Sequence, residues 1–271
     1  MKRILALLLC LVIVLSMTAC GSKKAEPTEI TVFAAASMTE AMTEIKTAYE
    51  AANPGVTITY NFDSSGTLKT QIQEGAVCDL FISAAQKQMN ALDASCDAEK
   101  NPDGLDFVLQ GSRINLLENK VALVVPEGNP KGIESFDGLA AALRDGEVLM
   151  AMGNEDVPVG QYTQKILAFY ALSEEELASA GKITYGSNVK EVTTQVKEGS
   201  VDCGVVYCTD ATSAGLTIMD TATKDMCGQI IYPAAVMKNS ANADAARAFL
   251  DYVAAGAGKD VLSKYGFSPL G

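Results

Sequence analysis

The sequence predicts an α/β fold of largely parallel sheets flanked by helices. Short apolar strands alternate with amphipathic helices from about residue 30 onward, as expected when each parallel crossover is made by a helix. Two stretches make the alternation explicit. ITVFAAASMTEAMTEI (residues 30–45) and ITYNFDSSGTLKTQI (residues 58–72) each run from β-branched or aromatic residues through serine into helical spacing. Size agrees: of 271 residues, 252 follow the first 19, enough for one large domain or two lobes with cores of their own.

The first residues read as an address. Lys2-Arg3 make a basic start, residues 4–15 are continuously apolar, and Ser16-Met17-Thr18-Ala19 lead to Cys20. The run is short for a spanning helix. Together with the polar GSKKAEPTE stretch behind it, the segment resembles a bacterial lipoprotein signal, departing from it at Met17, where leucine is usual. The resemblance implies that residues 1–19 are a signal peptide, that Cys20 carries lipid, and that residues 20–29 are a tether. The protein is then extracytoplasmic and anchored to the membrane.

Past the tether, the helix after Ser37 puts Met38, Ala41, Met42, Ile45, Ala48, Tyr49 and Ala52 on one face and stops at Asn53-Pro54-Gly55. Strands are expected at 56–62 and 79–83, the second leading into a helix from Ala84. Residues 121–125 form an uninterrupted apolar strand ended by Pro126, and a helix follows Phe136-Asp137. A strand at 148–152 runs into GNEDVPVGQY. The helix from about Val159 carries Tyr162, Ile166, Phe169 and Tyr170, and the acidic 173–176 opens another. Strands at 183–185, 204–207 and 231–237 and a helix at 241–255 complete the set.

Beyond residue 19 the chain has 33 acidic residues against 19 basic ones, which argues against a nucleic-acid partner. Five cysteines lie past Cys20 (Cys78, Cys96, Cys203, Cys208, Cys227). The number is odd, and Cys203 and Cys208 are expected on opposite faces of one strand, so buried thiols fit better than a disulfide framework. Histidine is absent, which excludes Ser–His–Asp and Cys–His catalysis and leaves a zinc site poorly supported. The chain contains no GxSxG elbow and no Walker A loop.

The candidate chemistry lies at the turns. A strand that enters a helix aims unpaired N–H groups and a positive dipole end at whatever faces it, which suits a small anion. Serine adds a donor without adding charge. Each such residue also has a structural reading: Ser37 with Glu40, Ser83 with Gln86, and Asn188 with Glu191 fit capping boxes, and Ser64 or Ser65 fits a cap. Pro158 at a helix entry leaves Val159 and the residues after it as donors. Tyr207 closes a strand, at the edge where α/β proteins place ligands.

VFAAASMTEAM, FDSSGTLKTQIQEGAVCDLFISA, VPVGQY, GVVYCTDA and the terminal YPAAVMKNS, AARAFLDYV and KYGF segments resemble the molybdate-binding proteins of bacterial ABC transporters, in order from about Ile30 to Phe267. The resemblance implies a two-lobed, type II periplasmic-binding-protein-like fold with the oxyanion between the lobes. It implies hydroxyl and backbone donors from Ser37 and Ser65, backbone N–H donors from Val159 and Val189, and a phenol from Tyr207. The sequence reads SSG where the family often has SSS, which leaves Ser64 as the alternative to Ser65. On this reading residues 30–113 and 235–271 form the first lobe and 114–234 the second, joined by two crossings near Arg113–Lys120 and Tyr232–Ala235. The protein binds molybdate or tungstate as a monomer, needs no cofactor and no metal beyond that of the anion, and delivers it to a membrane permease. A binding protein for sulfate or phosphate is the alternative, and a secreted serine-lysine hydrolase is the rival from another class.

Overall fold

The computed structural model describes residues 27–270, so the signal segment, Cys20 and most of the expected tether lie outside the described residues. In chain order the strands are β1 (Thr28–Ala35), β2 (Val56–Asp63), β3 (Leu80–Ile82), β4 (Ile114–Asn119), β5 (Val121–Val125) and β6 (Met150–Gly153). After them come β7 (Ile183–Gly186), β8 (Cys203–Tyr207), β9 (Thr217–Thr221), β10 (Ile230–Val236) and β11 (Ser268–Pro269). The helices are α1 (Thr39–Ala52), α2 (Ser65–Gln73), α3 (Gln86–Asn90), α4 (Phe136–Asp145), α5 (Pro158–Phe169) and α6 (Glu174–Ser179). Next are α7 (Val189–Lys197), α8 (Cys208–Ala214), α9 (Lys224–Cys227), α10 (Ala243–Ala254) and α11 (Gly256–Lys264).

Two sheets form, one per lobe, in the orders β11-β4-β10-β3-β1-β2 and β7-β6-β8-β5-β9. Both are mixed. Expected parallel pairing holds for β2-β1-β3 and for β7-β6-β8. Beside each trio lies one antiparallel strand, β10 in the first sheet and β5 in the second, and these are the strands by which the chain returns from or enters the other lobe. The sheets also move the lobe boundaries expected at 113/114 and 234/235. β4 and β10 pair along their lengths, Ile230 opposite Asn119 and Ala234 opposite Ile114, so both belong to the first sheet. The crossings therefore fall at Lys120 and just before Ile230. A strand that buries Leu116 and Leu117 and hydrogen-bonds on both edges cannot serve as a linker.

Packing follows the periodicity. On β1, Ile30, Val32 and Ala34 face the larger core that runs through both lobes, while Phe33 faces a smaller one with Leu68, Phe81, Met89 and Leu92. Helix α1 buries Ala41, Met42, Ile45 and Tyr49, a narrower stripe than expected, with Ala48 and Ala52 exposed. All five cysteines of the described residues are free thiols. Cys208 begins α8, one residue past the strand on which it was expected.

Candidate functional site

The loops that follow the C-terminal ends of the six parallel strands converge on one place. After β1 the chain makes a 3-10 turn, Ala36–Met38, that buries Ser37. Its Oγ lies 2.9 Å from the Tyr232 phenol oxygen. The expected capping box with Glu40 does not form, since neither the turn nor α1 has a side-chain cap. Glu40 reaches Lys190 of the other lobe instead. After β2 the paired serines separate. Ser64 caps α2, its Oγ accepting from Thr67 N–H at 3.1 Å. Ser65 is fully buried and its Oγ accepts from Ala84 N–H at 2.9 Å, which leaves its own hydrogen to donate. After β3, Ser83 Oγ donates to the Ala85 carbonyl instead of capping α3.

In the second lobe, β6 passes into α5 through Val157, with no side-chain cap and Pro158 at the first helical position. The Gln161 N–H donates to the Val157 carbonyl, so the N–H groups of Val159 and Gly160 precede the helical ladder. A Cβ on Gly160 would lie 2.2 Å from the Gly153 carbonyl oxygen, so only glycine lets the helix start sit this close to its strand. After β7, Asn188 caps α7 by accepting from Lys190 N–H (3.0 Å) and Glu191 N–H (3.2 Å). That cap serves the second and third helical positions and leaves the Val189 N–H uncapped. The Glu191 carboxylate accepts from Ser187 N–H, so the box with Asn188 is one-sided. Tyr207 ends β8, fully buried, its OH 3.5 Å from the Ala84 carbonyl of the first lobe. Burial holds its pKa well above the usual phenol value, so it stays a neutral donor.

These turns line one small, partly open cavity, whose walls include Ser37, Ser64, Ser65, Ala84, Val189 and Tyr207 together with Asp63 and Val157-Pro158. Val159 follows the lining Pro158. No lysine or arginine lines it. The nearest ammonium by sequence, that of Lys190 beside Val189, is shared between Glu40 at 2.8 Å and Asp210 at 3.2 Å. Asp210 is fully buried, and burial pushes its pKa up to about 6 although Lys190 pulls the other way. The arrangement thus offers oriented hydroxyls and helix N-termini without net positive charge. An anion stripped of water needs several such charge-assisted bonds to offset desolvation.

Sequence reasoning missed the residues that close the site. Gly66 N–H donates to the Asp156 carbonyl across the lobes at 3.0 Å, and a Cβ on Gly66 would lie 2.2 Å from that oxygen. Glycine in the SSG turn therefore permits the approach of the lobes. Tyr232 and Asn119 were also missed; the side chains they bond lie 90 or more residues away, beyond any local signal. Among the described residues no group of histidine, cysteine, aspartate or glutamate could hold a metal ion.

Comparison with known proteins adds an independent line. The family model for bacterial extracellular solute-binding proteins matches residues 30–268. YvgL of Bacillus subtilis (strain 168), described as a substrate-binding lipoprotein of an ABC transporter, is 34% identical over 88% of this chain and 86% of its own length. The molybdate-binding protein ModA of Escherichia coli (strain K12) is 33% identical, with 94% of each chain covered. Among solved structures, the periplasmic molybdate-binding protein of Azotobacter vinelandii superposes with a TM-score of 0.73 at 20% identity, covering 88% of this chain and 98% of that one.

Proposed function

The chain belongs to the bacterial extracellular solute-binding proteins, and from that premise we propose that it captures molybdate or tungstate outside the cytoplasm and hands it to the permease of an ABC transporter. It is a carrier and not an enzyme. One observation carries the reading: a small cavity lies where the parallel strands of two lobes end, and serine and tyrosine hydroxyls line it without any lysine or arginine. Full-length relatives that bind molybdate support the choice of oxyanion. Ser37, Ser65 and Tyr207 supply side-chain donors, and Val159 and Val189 supply backbone N–H groups. Selection among tetrahedral anions then rests on donor geometry and cavity size. Lipid on Cys20, as the description of YvgL suggests, tethers a monomer beside its transporter.

The test is a thermal-shift and calorimetric panel of molybdate, tungstate, sulfate and phosphate on the mature chain. One equivalent of molybdate or tungstate is expected to bind without turnover. At about a hundred times its dissociation constant the ligand adds roughly 2.7 kcal/mol of stability. Tighter binding of sulfate or phosphate would reassign the solute, and binding of none of the four with hydrolysis of esters would overturn the class.

A further inference from the structure

We propose that Asn119 and Tyr232 are positioning residues that turn the Ser37 hydroxyl hydrogen toward the cavity. The inference rests on the oxyanion reading above and follows from hydrogen-bond polarity. The Asn119 side chain is oriented by its own neighbour: Oδ1 accepts from the Lys120 N–H at 2.8 Å. Its amide nitrogen therefore points the other way, and its two hydrogens have two acceptors, Thr209 Oγ1 at 3.0 Å and the Tyr232 phenol oxygen at 3.2 Å. A carboxamide nitrogen can only donate, so the phenol oxygen is the acceptor in that bond.

Tyr232 has one hydrogen left to give; the Tyr207 phenol also faces its oxygen, as a donor, so the partner left to accept is Ser37 Oγ at 2.9 Å. The phenol is completely buried among the aromatic rings of Tyr207 and Phe267, and burial holds its pKa far above neutrality. It therefore keeps its proton and donates it to Ser37. The serine oxygen is thereby an acceptor from behind, and its own hydrogen is free on the side where Ser37 lines the cavity. Three buried residues, Asn119, Tyr232 and Ser37, thus form a one-way chain ending at the ligand. Without it, a serine hydroxyl beside a phenol could as easily donate away from the anion, leaving a lone pair to face it. Asn119 is the last residue before the crossing between lobes, and its second bond runs to Thr209 of the other lobe, so the chain is anchored at the hinge.

The experiment is a double-mutant cycle of Tyr232→Phe and Ser37→Ala, read by calorimetry with molybdate and by melting temperature without it. Tyr232→Phe keeps the ring and is expected to weaken molybdate by about two- to tenfold. In the Ser37→Ala background the same change is expected to cost nothing further, a coupling that a purely structural tyrosine does not show. Asn119→Asp retains the acceptor for Lys120 N–H but replaces the donor to Tyr232 by an acceptor, reversing the chain. Its loss of affinity is expected to be larger with Ser37 present than with alanine there, and this arm decides the matter should Tyr232→Phe fail to fold. Unchanged affinity in Tyr232→Phe, or equal losses in both backgrounds, overturns the relay while leaving the function intact. A wild-type chain that binds no oxyanion overturns the function and the relay together.

Discussion

Adjacent side chains at Ser64 and Ser65 take different partners, and that difference can be measured. Ser64 caps α2, so Ser64→Ala is expected to lower stability by about 0.5–2 kcal/mol with affinity nearly intact. Ser65 has its hydrogen free beside the cavity, so Ser65→Ala is expected to weaken molybdate ten- to a hundredfold, about 1.5–3 kcal/mol for a bond to a charged partner. Melting curves and calorimetry on both variants separate the roles; equal affinity loss in the two would erase the distinction. Asp210 sets a pH dependence. Its native pKa, about 6, lies above the ordinary 3.8, so the native state binds the proton more tightly than the unfolded chain. The stability it contributes is complete below about pH 4 and is lost as pH rises through about 6. Between pH 7 and 5 the wild-type melting temperature is therefore expected to rise relative to Asp210→Asn, the group facing Asp210 being Lys190, with Glu40 and Tyr232 nearby. A constant difference across that range would show that Asp210 does not titrate there.

At the scale of elements, the site is a set of helix starts left deliberately incomplete. α7 spends its Asn188 cap on the N–H groups of Lys190 and Glu191 and leaves Val189 free. α5 has no side-chain cap at all, and Pro158 removes the first donor so that Val159 comes forward. An N-terminus with unmet N–H groups facing a cavity is an anion site in waiting. Its position depends on close packing against β6, where Gly160 meets the Gly153 carbonyl. Gly160→Ala forces the helix start away from the strand and is expected to cost about 1–3 kcal/mol of stability. It should also reduce molybdate affinity through displacement of the Val159 N–H. Retained affinity at reduced stability would mean that Val159 does not contact the ligand.

For the molecule as a whole, function turns on how the lobes meet. Polar contacts cross between them near the cavity, among them Gly66 N–H to the Asp156 carbonyl and Glu40 to Lys190. The first is steric as well as polar. Gly66→Ala places a Cβ against backbone on the facing lobe, and is expected to hold the lobes apart and lower affinity tenfold or more. Its effect on the ligand-free melting temperature should be small, because α2 tolerates alanine. Small-angle scattering with molybdate is expected to report a larger radius for this variant than for wild type; the same closed radius and affinity would refute the steric role. Glu40→Gln leaves the Lys190–Asp210 pair in place and removes a half-exposed cross-lobe pair. It should cost no more than about fivefold in affinity, a loss that high salt abolishes.

What the sequence determined by itself was the local machinery. Strand, serine and helix stand next to one another in the chain at Ser37 and Ser65, as do strand, proline and helix at Val159. Short-range patterning of that kind is readable because strand and helix periods differ within a few residues. The placing of Ser37, Ser65, Val189 and Tyr207 around one cavity follows from those turns once parallel strands put their C-terminal ends together. Tertiary structure decided everything that depends on residues far apart in sequence. Ser-x-x-Glu at Ser37 fits a capping box locally, yet Tyr232 binds the serine from 195 residues away and Lys190 binds the glutamate from 150 away. Likewise β4 reads as a linker until β10, more than a hundred residues later, pairs with it. No local pattern encodes such contacts, because a polar side chain satisfies its hydrogen bonds with whichever partner the closed, packed chain brings within reach.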